Sequence, residues 1–271
     1  MALIRLKEHL TTGSMVVAAG ENAWRLSVPA GQAGIYRLAQ LDDYSMLQRI
    51  NFPWKAPLCL ELDARVSHCD IPGTWGFGFW NDPFNSSFGL GGMGMRLPAI
   101  PDAAWFFFAS PQNYLSFQDD LPAKGFLAVV FNAAKVPGFF FVPAALAVPF
   151  LVLPPIARMA RRMVRSLVRE DSCELPVDPV NWHTYKLILH YSGNLPSKNS
   201  ENPPMKLRTG TQFYVDKKLV FETSIMPQGK LGLVIWIDNQ YAAFPPSGKL
   251  STGTLASDKP AWLEISNINI G

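Results

Sequence analysis

The sequence predicts an all-β chain, an antiparallel sandwich carrying one short helical, apolar insertion, and three observations lead there. Short runs with period-two alternation, or with aromatic and β-branched enrichment, recur between turn signals. The 23 prolines and 20 glycines punctuate these runs so often that little of the chain can be long helix. The runs also follow one another without the helical periodicity that separates the strands of βαβ units. With 271 residues, 48% of them hydrophobic and 12% aromatic, the chain can bury a large core, and one domain over 1–271 is expected.

Taken in order, residues 1–17 hold Arg5, Lys7, Glu8 and His9 but no apolar stretch long enough for a secretory signal, so a cytoplasmic location is expected. Strands are expected at 24–28 and 35–38; residues 1–50 either complete the sandwich or pack on it as an extra layer. The next strands, 58–67 and 74–80, alternate clearly, and Asn81, Asp82 and Pro83 then read as a turn. Residues 85–96 are glycine-rich but lack the Lys-Ser/Thr ending of a phosphate loop, so a plain loop is expected. Further strands follow at 104–109, 114–118 and 126–132. Beyond the insertion come 183–191, a polar hairpin extension at 193–207, then 211–215, 218–223, 231–238 and 261–270.

The insertion, 135–170, breaks the pattern. Residues 136–157 carry no charge and include Phe139, Phe140 and Phe141, but prolines at 137, 143, 149, 154 and 155 oppose a straight membrane-spanning helix. Because the flanking segments read as strands of one sandwich, the chain must also return to the side it left. Residues 156–169 then read as a short helix, with Ile156, Met159, Met163, Val164, Leu167 and Val168 on one side and arginines on the other. Arg158, Arg161, Arg162, Arg165 and Arg169 have no acid among them in sequence. Two roles stay open. The insertion docks on the sandwich as a lid or wall, or it lies in a bilayer interface with its arginines at anionic head groups, on the inner face of a membrane.

Outside that segment the chain is slightly acidic, which argues against a nucleic-acid partner. Cys59, Cys69 and Cys173 match no zinc or redox spacing and read as buried free thiols. No cofactor or metal is expected from the motifs, and neither a nucleophile elbow nor an H-E-x-x-H sequence occurs.

Five stretches, in order, carry a resemblance. They are LELDARVS (60–67), PGTWGFGFWNDP (72–83), NWHTYKLILH (181–190), TQFYVDKKLVF (211–221) and AWLEISNINI (261–270). Together they resemble the family 16 glycoside hydrolases and their concanavalin A-like jelly-roll relatives, over about 55–271 apart from the insertion. That likeness implies a strand bearing Glu-x-Asp-x-(x)-Glu after the Phe-Trp run. Here the corresponding stretch is AAWFFFASP (103–111), which has no carboxylate. Retaining hydrolysis needs two carboxyl groups about 5 Å apart, so that mechanism should be absent. Alternation aims either Trp105, Phe107 and Ala109 or Ala104, Phe106 and Phe108 into the cleft; the first set is favoured because tryptophan offers a stacking surface. A rival register would use Glu61 and Asp63, two apart on one strand face, although a surface or Arg65-paired role suits them better.

The candidate ligand residues are Trp80, Asn81 and Asp82 at the end of one strand, Trp105 and Phe107, and Trp236, Asp238, Asn239 and Tyr241 in WIDNQY. Polar groups set in an aromatic surface suit a small-molecule site; ordinary turns explain Asn81, Asp82 and the WIDNQY stretch about as well. His183 and His190 fit core or hydrogen-bonding roles. Three functions remain: non-hydrolytic binding of a glycan, glycolipid or amphipathic small molecule; an isomerase or cyclase acting on an apolar molecule, with Asp82, Asp238 or His183 moving a proton; and a glycosidase with displaced carboxylates.

Overall fold

The computed structural model describes residues 5–83, 99–133, 153–190 and 210–271. The loop expected at 85–96, the hairpin extension expected at 193–207 and the Phe139, Phe140 and Phe141 run lie outside these residues.

The chain folds as an antiparallel jelly-roll sandwich. Its strands are β1 (Lys7–Leu10), β2 (Met15–Gly20), β3 (Ala23–Val28), β4 (Leu38–Asp42), β5 (Leu58–Val66), β6 (Thr74–Trp80), β7 (Ala103–Ala109), β8 (Gly125–Ala133), β9 (Val168–Glu174), β10 (His183–His190), β11 (Gly210–Val215), β12 (Lys218–Thr223), β13 (Gly232–Asp238), β14 (Gln240–Ala243), β15 (Ser251–Thr254) and β16 (Ala261–Ile270). One helix, α1 (Pro154–Leu167), precedes β9. The first sheet runs β1-β4-β13-β6-β7-β8-β9 and the second β12-β11-β10-β5-β16-β3-β2. Successive strands pass from sheet to sheet at β4 to β5, β5 to β6, β9 to β10 and β12 to β13, the winding of a jelly roll.

Alternation sets the core between the sheets. On β6, Trp75, Phe77 and Phe79 point inward with Phe106 of β7 and Ile235 of β13, against Leu62, Tyr185 and Phe213 of the second sheet. Phe106 lies 5.0 Å from Tyr185 and 5.1 Å from Phe213 by ring centroid, both edge-on, so aromatic pairs join the two sheets. The β11–β12 turn puts Asp216 at φ +50° and Lys217 at φ +68°. Both central residues are thus left-handed, as a two-residue type I′ hairpin demands.

Of the two arrangements open for residues 1–50, the described part completes the sandwich: β1 and β4 extend the first sheet, while β2 and β3 extend the second. Other expectations need correction. The strand expected at 35–38 lies at Leu38–Asp42, and 114–118 contributes only a bridge from Tyr114 to Ala243. The helix ends at Leu167, and Val168–Glu174 pairs with β8 as an edge strand. Met159 and Met163 are exposed, whereas Ala157 and Arg161 are buried. The three cysteines are free, but Cys69 is exposed and Cys59 and Cys173 are half-buried.

Candidate functional site: a tryptophan-lined outer face

The residues opposite the core on the first sheet form a second apolar cluster. Trp105, Phe107, Leu127, Val129, Phe131, Val234 and Trp236 belong to it, with Trp80 packed alongside. Strand alternation accounts for this placement. On β7, Ala104, Phe106 and Phe108 enter the core while Ala103, Trp105, Phe107 and Ala109 take the other face.

Cross-strand register sorts large against small side chains on this face. Gly76 of β6 lies between Trp236 and Phe107, Gly78 between Val234 and Trp105, and Trp80 between Gly232 and Ala103. A Cβ on Gly76 would stand 2.5 Å from the Phe106 carbonyl oxygen and 2.8 Å from the Trp236 ring, so only glycine leaves room for that indole. The rings then meet one another. Trp80 and Trp236 are parallel with centroids 6.2 Å apart, and Trp105 sits edge-on to both at 5.6 and 5.7 Å. Phe107 lies 5.8 Å from Trp105 and 5.7 Å from Trp236.

Two indole donors behave differently. Trp236 Nε1 donates to Thr74 Oγ1 at 3.0 Å, and Thr74 Oγ1 donates to Asp238 Oδ1 at 2.8 Å. Trp105 Nε1 is buried among the rings and has no acceptor among the described residues, although its residue is only 7% exposed. A buried donor left unbonded costs about 1–3 kcal/mol, which an incoming acceptor would recover.

Asp238 is the titratable group beside these rings. Its Oδ1 also accepts from the Thr74 and Gln240 amides, each at 3.2 Å, and Tyr36 Oη donates to Oδ2 at 3.4 Å. Burial outweighs those bonds and raises its pKa to about 6. The Tyr36 hydroxyl is pushed up, by burial first and by the Asp238 charge second.

Not every predicted residue joins the cluster. Asn81 donates to the Ile100 carbonyl at 2.9 Å and accepts from the Asp102 amide at 3.1 Å, so it staples the turn. Asp82 is buried with φ +49°, and its carbonyl oxygen accepts from Arg49 at 2.6 Å. Asn239 is occupied by the Arg37 amide and by the Ile35 and Leu255 carbonyls. Tyr241 lies on the separate β14–β15 ribbon, where Ser251 donates to its hydroxyl at 3.3 Å. Thr74, Tyr36 and Phe131 are absent from the expected set; Thr74 is placed opposite Asp238 by the β6–β13 register, a long-range pairing with no local signal.

The buried carboxylates borne by this face's described strands are Asp42, Glu170 and Asp238. Asp42 meets His9 at 3.0 Å and Gln40 at 2.9 Å, and Glu170 accepts the Phe117 amide at 2.7 Å. Glu170 and Asp238 stand four strands apart, about 19 Å across the sheet at the usual strand spacing and further still along it. Asp42 pairs with Val234, four residues from Asp238, and a strand rise puts those two about 14 Å apart. Both separations exceed the roughly 5–9.5 Å that glycoside hydrolysis uses. The rival pair is elsewhere: Glu61 binds Lys186 at 2.9 Å, and Asp63 accepts from Thr184 at 2.6 Å and Asn267 at 2.7 Å, on the outer side of the second sheet. Arg65 pairs with Glu264 at 2.7 Å, not with either of them. Among the described residues no group of three or more His, Cys, Asp or Glu side chains could hold a metal ion.

Helix α1 walls one side of the cluster. Val164 and Leu167 pack against it. Arg161, 4% exposed, donates to the Ser116 carbonyl at 2.7 Å, the Phe244 carbonyl at 2.6 Å and Asp119 at 2.8 Å. Arg165 also reaches Asp119, at 2.9 Å. Of the five arginines without an acid in sequence, Arg161 and Arg165 thus share one in space. No helix among the described residues is long and apolar enough to cross a membrane.

The chain matches no known family model, and no curated protein is similar to it in sequence. Solved structures similar to it include a sialidase, with TM-score 0.43 and 10% identity over 98% of this chain, of which it spans only 17%. A Bacillus licheniformis β-glucanase gives 0.46 and 11%, covering 97% of this chain and 90% of its own. The Emp46p carbohydrate recognition domain gives 0.41 and 11%, covering 95% and 87%. At such scores the likeness carries no weight for chemistry, and the sandwich stands on its own strand pairing.

Proposed function

We propose that this protein binds a glycan, glycolipid or amphipathic small molecule against Trp80, Trp105, Phe107 and Trp236 without hydrolysing it. The observation that carries this reading is the buried Trp105 N–H, aimed among aromatic rings with no acceptor among the described residues. Because Trp105, Phe107 and Trp236 are only 7–8% exposed, a ligand with an apolar face and one suitably placed oxygen would part these rings, stack between them and accept that bond. The separations of Asp42, Glu170 and Asp238 keep these three from acting as a hydrolytic pair, which supports binding without hydrolysis.

Screening a glycan array and a set of amphipathic small molecules, then titrating the hits by intrinsic tryptophan fluorescence, tests the reading. Saturable quenching with no release of reducing ends is expected. Trp105→Phe, which keeps the ring shape and removes the N–H, should weaken binding by up to about tenfold. Failure of every compound to bind, or reducing ends released in proportion to protein, would contradict it.

A second reading has one observation in its favour. Asp238, with its pKa near 6, is linked through Thr74 to Trp236, and a carboxyl poised between its two states can move a proton on an apolar substrate. Product formation from a bound compound that Asp238→Asn abolishes, with binding retained, would favour it over plain binding.

A further inference from the structure

We infer that the outward face of helix α1 is a docking surface for an anionic lipid bilayer. The helix has two faces with different tasks. Its inward face is anchored through Ala157, Arg161, Val164 and Leu167. Its outward face carries Met159 at 66% and Met163 at 56% exposure beside Arg158 and Arg162, with Leu153 exposed just ahead of the first turn.

Charge argues for the occupant. Arg158 and Arg162 form no ion pair among the described residues, in contrast to Arg161 and Arg165, which share Asp119. The helix itself contains no acid. The turn that Gly248 closes lies against Pro154 and Arg158 and adds exposed Lys249. Gly248 has φ +75°, and a Cβ there would stand 2.4 Å from the Pro154 carbonyl oxygen, so this basic turn can sit against the helix only with glycine.

Two methionines with guanidinium groups beside them match the depth profile of a membrane interface, where thioether chains enter the acyl boundary and arginines stay at the phosphates. An acidic protein would satisfy the arginines but leave no comparable reason for flexible apolar chains to stand open to water. Because arginine keeps its charge throughout the ordinary pH range, attachment should respond to salt and hardly to pH. The inference is independent of the ligand face.

The test is sedimentation of the full chain with vesicles of phosphatidylglycerol and phosphatidylcholine, or of phosphatidylcholine alone, at low and high salt. The chain should pellet with the anionic vesicles at low salt, stay in solution with the neutral ones, and be released at high salt. Arg158→Glu/Arg162→Glu should lower partitioning by at least about 25-fold, at about fivefold per arginine. The control Lys217→Glu/Lys218→Glu makes the same charge change on the distant β11–β12 hairpin and should pellet like wild type. An unchanged melting temperature checks that both variants fold. Wild type remaining in the supernatant, equal pelleting with neutral vesicles, or equal loss in both double variants would overturn the inference.

Discussion

Asp238 shows how one side chain's surroundings reverse its usual behaviour. Burial raises its pKa from 3.8 to about 6 despite the bonds from Thr74, Gln240 and Tyr36, so the folded state holds its proton more tightly than the unfolded chain. Its contribution to stability is therefore complete below the unfolded pKa and is lost as pH rises through about 6. Asn keeps the oxygen that Thr74 and Gln240 bond, turns the Tyr36 contact round so that its amide donates to Tyr36 Oη, and does not ionise. Asp238→Asn should gain about 2–3 kcal/mol relative to wild type between pH 4 and pH 7, measured by urea denaturation at each pH; a pH-independent difference would contradict the account. Asp43 is raised to about 6 in the same direction, with burial again the largest cause. It anchors the Trp54 indole at 2.5 Å and the Leu233 amide at 2.9 Å, so wild type keeps a second group of the same sign.

Among the elements, β6 and α1 decide the site. Gly76→Ala should cost about 1–3 kcal/mol, because the new methyl meets the β7 backbone at 2.5 Å and the Trp236 ring at 2.8 Å. Thermal denaturation measures the loss, and near-ultraviolet dichroism should change with it as the Trp236 environment is disturbed. Arg161→Ala leaves the Ser116 and Phe244 carbonyls without their donor and should cost about 2–4 kcal/mol by chemical denaturation. Faster amide exchange across Pro154–Leu167 should accompany it; unchanged stability would show that the helix is held by its apolar side chains alone. These elements also mark where legibility in the sequence ended. TWGFGFW and AAWFFFA announced their strands, while period two left AAWFFFA two choices of face that only its tryptophan separated. β9 did not, because VREDSCE buries Glu170 and Ser172, an inverted polarity that exists only because residues 117 and 118 cover that side and bond to Glu170. Arg161 was hidden for the same reason: an arginine satisfied by carbonyls reads, in sequence, like one in solvent. Edge strands such as MVVAAG are exposed on both faces and so carry no alternation to find.

For the molecule as a whole, the sandwich itself was readable because core residues of both sheets obey one period. The polar residues of the site were less so. Asn81 and Asn239 hold turns through long-range backbone bonds that no local pattern encodes. The first sheet then separates two environments: a sealed interior shared with the second sheet, and an opposite face where large rings crowd over bare glycine backbone. Two indoles report on the two sides independently. Trp105 Nε1 lies on the outer face and Trp75 Nε1 in the core, and neither has an acceptor among the described residues. The most direct measurement follows their indole N–H resonances by nuclear magnetic resonance, assigned with Trp105→Phe and Trp75→Phe, during titration with a compound that quenches the protein's fluorescence. The Trp105 proton should move downfield as it gains an acceptor while the Trp75 proton stays in place. A Trp105 resonance that does not respond at saturation, or a Trp75 resonance that moves in its stead, would contradict a ligand seated on the outer face.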